Sequence, residues 1–215
     1  MMSHATLAGR LAATRDEGAD WQPFYDEFVG GLRAIGIGSG APRVGERFPD
    51  LSLPDARGAY RTLASLLEGG PLVLSFNRGG WCPYCMHELR SWADALPALR
   101  EAGGALAVVT GEVGGRAARL EALFDGGATL LCDVDHGAAL ASGLAFHIGP
   151  GLQRRYDESG LHLADLYGSN GGFLPVPATF VIDPAGIVRY AFADPDFRVR
   201  AEPDEVVAAV AKLRS

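Results

Sequence analysis

A chain of 215 residues with 48% hydrophobic and 21% charged side chains can bury a sizeable core and is too apolar for extended disorder. Its 19 basic against 26 acidic residues leave a net charge of −7, which excludes nucleic acid as a partner on bulk electrostatics. Three cysteines are too few for a secreted disulfide scaffold, and the 29 glycines follow no period of three, so collagen is excluded as well. No apolar run approaches the ~20 residues of a membrane span. The N-terminus has no charged region followed by an apolar one, so no secretory signal is expected. The expected compartment is the cytoplasm, where thiols stay reduced.

Residues 1–35 read as helical. Trp21, Phe24, Tyr25, Phe28, Val29 and Leu32 recur at helical spacing as one apolar stripe. Packing of that stripe on the chain's own main domain is favoured over a dimer or partner surface. The run Gly36-Ile37-Gly38-Ser39-Gly40-Ala41-Pro42 has the outline of a dinucleotide fingerprint, but no strand precedes it and Pro42 stands where a helix should run. It is read as a linker. The chain is thus divided into a helical extension with its linker, residues 1–41, and a main domain, residues 42–215.

Within that domain, residues 71–76 and 105–110 are continuous apolar runs, as in strands buried on both faces. Residues 83–96 read as a helix that Pro97 limits or kinks. A helix over 115–125, a short strand over 129–132 and a short helix over 137–144 follow. Residues 149–176, with Gly168, Gly171 and Gly172, read as loop-rich. Residues 179–182 and 187–191 flank Asp183-Pro184-Ala185-Gly186, whose turn chemistry predicts an antiparallel hairpin. A helix over 203–213 closes the chain. The order implies an α/β fold with a mixed central sheet flanked by helices.

The chemistry concentrates at Arg78-Gly79-Gly80-Trp81-Cys82-Pro83-Tyr84-Cys85, where a buried strand runs into a helix. Cys82 fits the N-cap and Pro83 the first helical position, where its missing N–H has no intrahelical partner to lose. The N–H groups of Tyr84 and Cys85 then point back at the Cys82 sulfur and, with the helix dipole, favour a thiolate there. Cys82 is the predicted nucleophile. Cys85, three residues on, lies within reach of a disulfide and is the predicted resolving thiol. Arg78 reads equally as a cation beside the thiolate or as an ordinary surface residue. Trp81 shields the site. His87 and Glu88 are read as part of a solvated helix face. Zinc held by both cysteines with Cys132 and His136 is a weaker alternative, and Cys132 is read as a buried structural thiol. The redox reading requires no cofactor or metal.

Cys-Pro-Tyr-Cys resembles the active-site tetrapeptide of glutaredoxins, and the preceding Trp81 resembles thioredoxins. The longer string through Cys85, followed by Glu88-Leu89, resembles a peroxiredoxin-like branch of the alkyl hydroperoxide reductase/thiol-specific antioxidant family. Val44 to Leu51 with Leu53-Pro54-Asp55 resembles that family's domain start, and Leu174 to Asp183 its late hairpin. The resemblance implies a thioredoxin-like fold over the main domain. It also implies a cis peptide before Pro177, beside the dithiol, with the Val176 backbone free to pair with a substrate chain. The family's Pro-x-x-x-Thr-x-x-Cys pattern falls in neither register, so it assigns the peroxidatic role to neither cysteine. An Arg that the family carries near the position of Pro177 is also missing, and Arg198 or Arg200 is a candidate replacement.

Two activities use the same residues. The first is a thiol-dependent peroxidase: Cys82 attacks hydrogen peroxide or an organic hydroperoxide, Cys85 closes a disulfide, and a thioredoxin- or glutathione-type thiol reduces it. The second is a thiol–disulfide oxidoreductase acting on protein or small disulfides. A non-catalytic binding or zinc module is disfavoured by the intact pair. The resemblance further implies a homodimer, with the aromatic stripe as the one visible candidate surface; the net charge and the lack of an apolar span exclude nucleic acid and membrane as partners.

Overall fold

The computed structural model describes residues 6–168 and 172–214. The first residues of the predicted helical start, and Gly171 of the predicted loop, lie outside them. The chain opens with helices α1 (Leu7–Glu17) and α2 (Gln22–Ala34), joined by a short 3-10 turn. The linker after α2 runs through tight turns. Strands β1 (Ser52–Pro54) and β2 (Tyr60–Thr62) pair as a hairpin, and α3 (Leu63–Leu67) follows directly. Thr62 and Ser65 cap α3 reciprocally, each side chain accepting the other's backbone N–H.

The domain is organised around β3 (Leu72–Asn77). After it come α4 (Pro83–Glu101), β4 (Ala105–Thr110), α5 (Arg116–Glu121), β5 (Thr129–Cys132), α6 (Gly137–Ala141) and β6 (Ala145–His147). The chain ends with α7 (Gly149–Glu158), α8 (Leu163–Tyr167), β7 (Phe173–Pro175), β8 (Ala178–Ile182), β9 (Val188–Ala193) and α9 (Pro203–Ala211). Five strands form the central sheet in the spatial order β5-β4-β3-β8-β9. The β3–β4 and β4–β5 pairs are parallel, and the β3–β8 and β8–β9 pairs are antiparallel. This is the mixed sheet of a thioredoxin-like fold.

Every residue of β3 is buried because the sheet is covered on both faces. Side chains alternate across a strand. Val73, Val108, Leu130 and Val181 meet Leu89, Trp92 and Leu99 of α4 and Val206 and Val210 of α9. Leu72, Leu74, Phe76 and Phe180 face the other way, onto Phe48, Phe146, Tyr156 and Tyr167. The aromatic stripe, from Trp21 in the 3-10 turn through α2, packs on this second layer. Trp21 lies 6.0 Å from the Tyr156 ring and Phe28 lies 6.1 Å from Phe146.

Two sequence expectations are corrected. Of the two readings of Pro97, limiting or kinking the helix, the first is overturned: α4 continues to Glu101. The backbone bond that proline removes is offset by burial of Leu96 and Leu99 against the sheet. Residues 149–176 are not mainly loop. They hold α7 and α8, and β7 pairs antiparallel with β6. Leu152 with Tyr156, and Leu163 with Tyr167, stand four apart and bury one face of each short helix. No described helix is long and apolar enough to cross a membrane.

Candidate active site

The site forms where β3 leaves the sheet and α4 begins. Cys82 is the N-cap of α4, with extended backbone angles, and Pro83 stands in its first turn. The Met86 N–H donates to the Cys82 carbonyl at 3.0 Å, closing that turn. The approach loop is pinned from outside. Gly79 has a φ of 111°, and a Cβ there would lie 2.4 Å from the Glu112 carboxyl carbon. That carboxylate accepts the Gly80 N–H at 2.9 Å. Burial pushes the Glu112 carboxyl upward despite this bond.

Both sulfurs are reduced and covered: Cys82 is 1% and Cys85 0% exposed. Burial pushes the Cys82 thiol up. The S–H of Cys85, the Arg78 and Arg200 cations and the Cys85 backbone N–H outweigh burial and bring it down to about 6. Cys85 is pushed well above its ordinary value by burial and by the neighbouring Cys82 charge. The two shifts run in opposite directions: Cys82 is the sulfur brought toward the thiolate and Cys85 the one held as the thiol.

Arg78 is buried beside the site and is no ordinary surface residue. Its guanidinium lies 4.6 Å from the Trp81 ring centroid and 4.2 Å from that of Phe197, and donates to the Tyr156 hydroxyl at 2.6 Å. The Arg78 carbonyl accepts from Trp81 Nε1 at 2.7 Å and from the Tyr167 hydroxyl. Tyr84 packs edge-on against Phe197, with ring centroids 5.7 Å apart.

Glu88 overturns the solvated-face expectation, being 0% exposed. It accepts from Arg200 Nε at 2.6 Å and from Ser75 Oγ at 3.2 Å. Burial pushes its carboxyl up to about 6, against the pull of Arg200. The cause lies far along the chain: β8, α9 and the segment before α9 close over this face of α4, and nothing in the sequence of α4 announces them. His87 stays partly exposed. Arg200 Nη2 donates to Cys85 Sγ at 3.2 Å. Of the two candidate arginines, it is therefore Arg200 that reaches the sulfur. Arg198 is engaged with Asp196 at 2.7 Å, Asp26 at 2.7 Å and Gln22 at 2.9 Å.

The resemblance-based expectation at Pro177 is also corrected. All described peptide bonds, including Val176–Pro177, are trans. The Val176 side chain is buried and its N–H donates to the Leu144 carbonyl at 2.6 Å. The segment leading into β6 thus takes the backbone donor that a substrate strand would use. Cys132 ends β5 half-buried, with its thiol pushed up by burial. Buried His136 packs 5.2 Å from the Tyr167 ring. Among the described residues no group of three or more His, Cys, Asp or Glu could hold a metal ion.

Sequence reasoning missed Tyr156, Tyr167, Phe197 and Glu112, which surround the loop, and Leu7, Leu11 and Val29, which cover the sulfurs from the N-terminal helices. A buried Tyr at helical spacing was the one available signal.

A family model described as the AhpC/TSA family matches residues 44–191. The fold is similar to that of peroxidoxin BcpB from Mycobacterium tuberculosis, with a TM-score of 0.62 at 22% identity over 81% of this chain and 99% of that one. It is also similar to AhpC of Mycobacterium tuberculosis, at 0.60 and 14% identity over 81% and 94% of the two chains. A third similar structure is a yeast mitochondrial 1-Cys peroxiredoxin whose thiol is resolved via glutathione/thioredoxin systems, at 0.60 and 16% identity over 80% and 76%. No match is found among curated proteins.

Proposed function

We propose, from the premise that this chain belongs to the AhpC/TSA family and is a peroxiredoxin-like oxidoreductase, that Cys82 and Cys85 reduce hydrogen peroxide or organic hydroperoxides by a dithiol/disulfide cycle. The Cys82 thiolate attacks one oxygen of the O–O bond. An S–O bond forms, the O–O bond breaks, and the released hydroxide or alkoxide takes up a proton. Cys82 is then a sulfenic acid. Cys85 attacks the Cys82 sulfur, its thiol proton leaves with the hydroxyl as water, and a disulfide remains. A thioredoxin- or glutathione-type thiol returns two electrons and restores the pair. In this reading residues 42–215 are the catalytic domain and residues 1–41 an extension, a division supported by the family match starting at Val44. A cytoplasmic setting suits the reduced resting state.

The observation that carries the proposal is the placement of Cys82 at the N-cap of α4, buried together with Cys85, Arg78 and Arg200, whose Nη2 donates to Cys85 Sγ. These surroundings bring the Cys82 thiol down to about 6, whereas burial pushes Cys85 up. The alternative, a thiol–disulfide oxidoreductase, draws on the Cys-Pro-Tyr-Cys motif. It is disfavoured because the sulfurs are covered and the Val176 N–H is already bonded.

The test mixes the reduced protein with hydrogen peroxide and with an organic hydroperoxide, and follows each cysteine by mass spectrometry. The expected result is rapid sulfenic acid on Cys82, trapped in Cys85→Ser and absent in Cys82→Ser. Sluggish reaction with both peroxides alongside fast reduction of a protein disulfide would overturn the proposal.

A further inference from the structure

The family match starts at Val44, so it does not account for α1 and α2. Yet these helices roof the sulfurs. Leu7, Leu11 and Val29 form one apolar cluster with Cys82, Tyr84, Cys85 and Phe197. The roof is fastened by polar contacts. The N–H groups of Leu7 and Ala8, at the start of α1, donate to the Glu202 carboxylate at 3.2 and 2.7 Å. Arg10 donates to Ser91 Oγ at 2.6 Å, and Asp26 of α2 pairs with Arg198 at 2.7 Å.

A cavity of about 450 Å³ lies between α1 and the segment preceding α9. Its walls include Leu11, Ala12, Arg15 and Asp16 on one side and Arg198 and Arg200 on the other. Both walls continue to the dithiol. Leu11 belongs to the apolar cluster around the two sulfurs. Arg200 lines the cavity and donates to Cys85 Sγ at 3.2 Å. A second cavity, of about 430 Å³, borders the approach loop at Gly80, Trp81 and Met86, but its lining includes neither arginine that lies beside the dithiol.

We propose that this cavity is the passage by which substrate reaches the dithiol, and that Leu11 sets the size of the peroxide admitted. Hydrogen peroxide is close to water in size and needs only a small displacement of Leu11 to reach the covered sulfurs. An aryl hydroperoxide needs that side chain to swing away, at the cost of its packing in the roof. A polypeptide disulfide does not fit a passage walled by a helix. What passes rests on the peroxidase reading, whereas the passage itself does not.

The test uses the full chain and three substitutions: Leu11→Ala, Leu11→Trp and Ala12→Trp. Ala12 is exposed on α1, so Ala12→Trp narrows the cavity from its rim without disturbing the roof and decides the matter even if a Leu11 variant fails to fold. Oxidation rates of reduced protein are measured with hydrogen peroxide and cumene hydroperoxide. Alkylation of Cys82 is measured with iodoacetamide and with a polyethylene-glycol maleimide of several kilodaltons. Leu11→Ala should raise the ratio of cumene hydroperoxide to hydrogen peroxide rates about tenfold, and both Trp variants should lower it by a similar factor. A ratio unchanged in all three variants overturns the proposal, as does a wild type alkylated equally fast by the large and the small reagent. If iodoacetamide alkylates Cys82 faster in Leu11→Ala and more slowly in the Trp variants than in wild type, but no peroxide oxidises any variant, the passage stands and the peroxidase reading falls.

Discussion

Replacing Arg78 with Met removes a cation beside Cys82 while keeping an apolar stem between Trp81 and Phe197, whose rings lie 4.6 and 4.2 Å from the guanidinium carbon. The Cys82 thiol stands at about 6 against an ordinary 9.0, and that difference favours the thiolate by roughly 4 kcal/mol. Burial opposes the thiolate, so its partners must supply more than this: the Cys85 S–H, Arg78 and Arg200. A neighbouring opposite charge is worth roughly 1.4 to 4 kcal/mol of ionisation. Because Arg200 remains, we take the lower end, about tenfold in the ionisation constant. Below about pH 6 the variant should react with iodoacetamide about tenfold more slowly at Cys82, near pH 7 about twofold more slowly, and near pH 9 at the wild-type rate. The assay is the pH dependence of Cys82 alkylation, read by mass spectrometry. A rate deficit that stays constant across this range would refute the electrostatic role, because it would show that Arg78 acts through shape alone. Stability follows the same sign. The folded value is depressed, so the thiolate's contribution is fully present above the unfolded value of 9.0 and is lost as pH falls through about 6.

Glu88 and Arg200 pair at 2.6 Å with both side chains buried. Glu88→Ala should cost about 3–5 kcal/mol in urea denaturation because it strands a buried cation, whereas Glu88→Leu combined with Arg200→Met should recover most of that loss. Strictly additive losses would contradict the pairing. Gly79→Ala places a Cβ 2.4 Å from the Glu112 carboxyl carbon at a φ of 111°. A lowered melting temperature is expected from about 1–3 kcal/mol of strain, and an unchanged one would deny it. Glu202→Ala removes the acceptor for the first two amides of α1. Hydrogen exchange in α1 should quicken by about 1 kcal/mol of lost protection while β3 stays unchanged.

What the sequence by itself determined is what neighbours along the chain decide. The apolar runs behind β3 and β4 are legible because strands buried on both faces need no polar alternation. The β8–β9 hairpin is legible from its turn residues, where Asp183 accepts the N–H groups of Ala185 and Ile187. The place of Cys82 at the N-cap with Pro83 following is likewise local, and so is the expectation of a thiolate there. The glycine-rich stretch 149–176 misled because glycine marks turns without showing how much helix lies between them.

The tertiary structure alone decided what distant residues do to one another. Glu88 reads as a surface carboxylate until Arg200, 112 positions away, reaches it across the face of α4. Val176 reads as a free backbone edge until the segment ending at Leu144 takes its N–H. Val29 reads as one position of an apolar stripe, and Leu7 and Leu11 carry no signal, until α1 and α2 fold back over Cys82 and Cys85. Helix period and capping are set by hydrogen bonds spanning a few residues, so the sequence carries them openly. Burial and charge pairing are set by which surfaces meet, and that is settled only once the whole chain has packed.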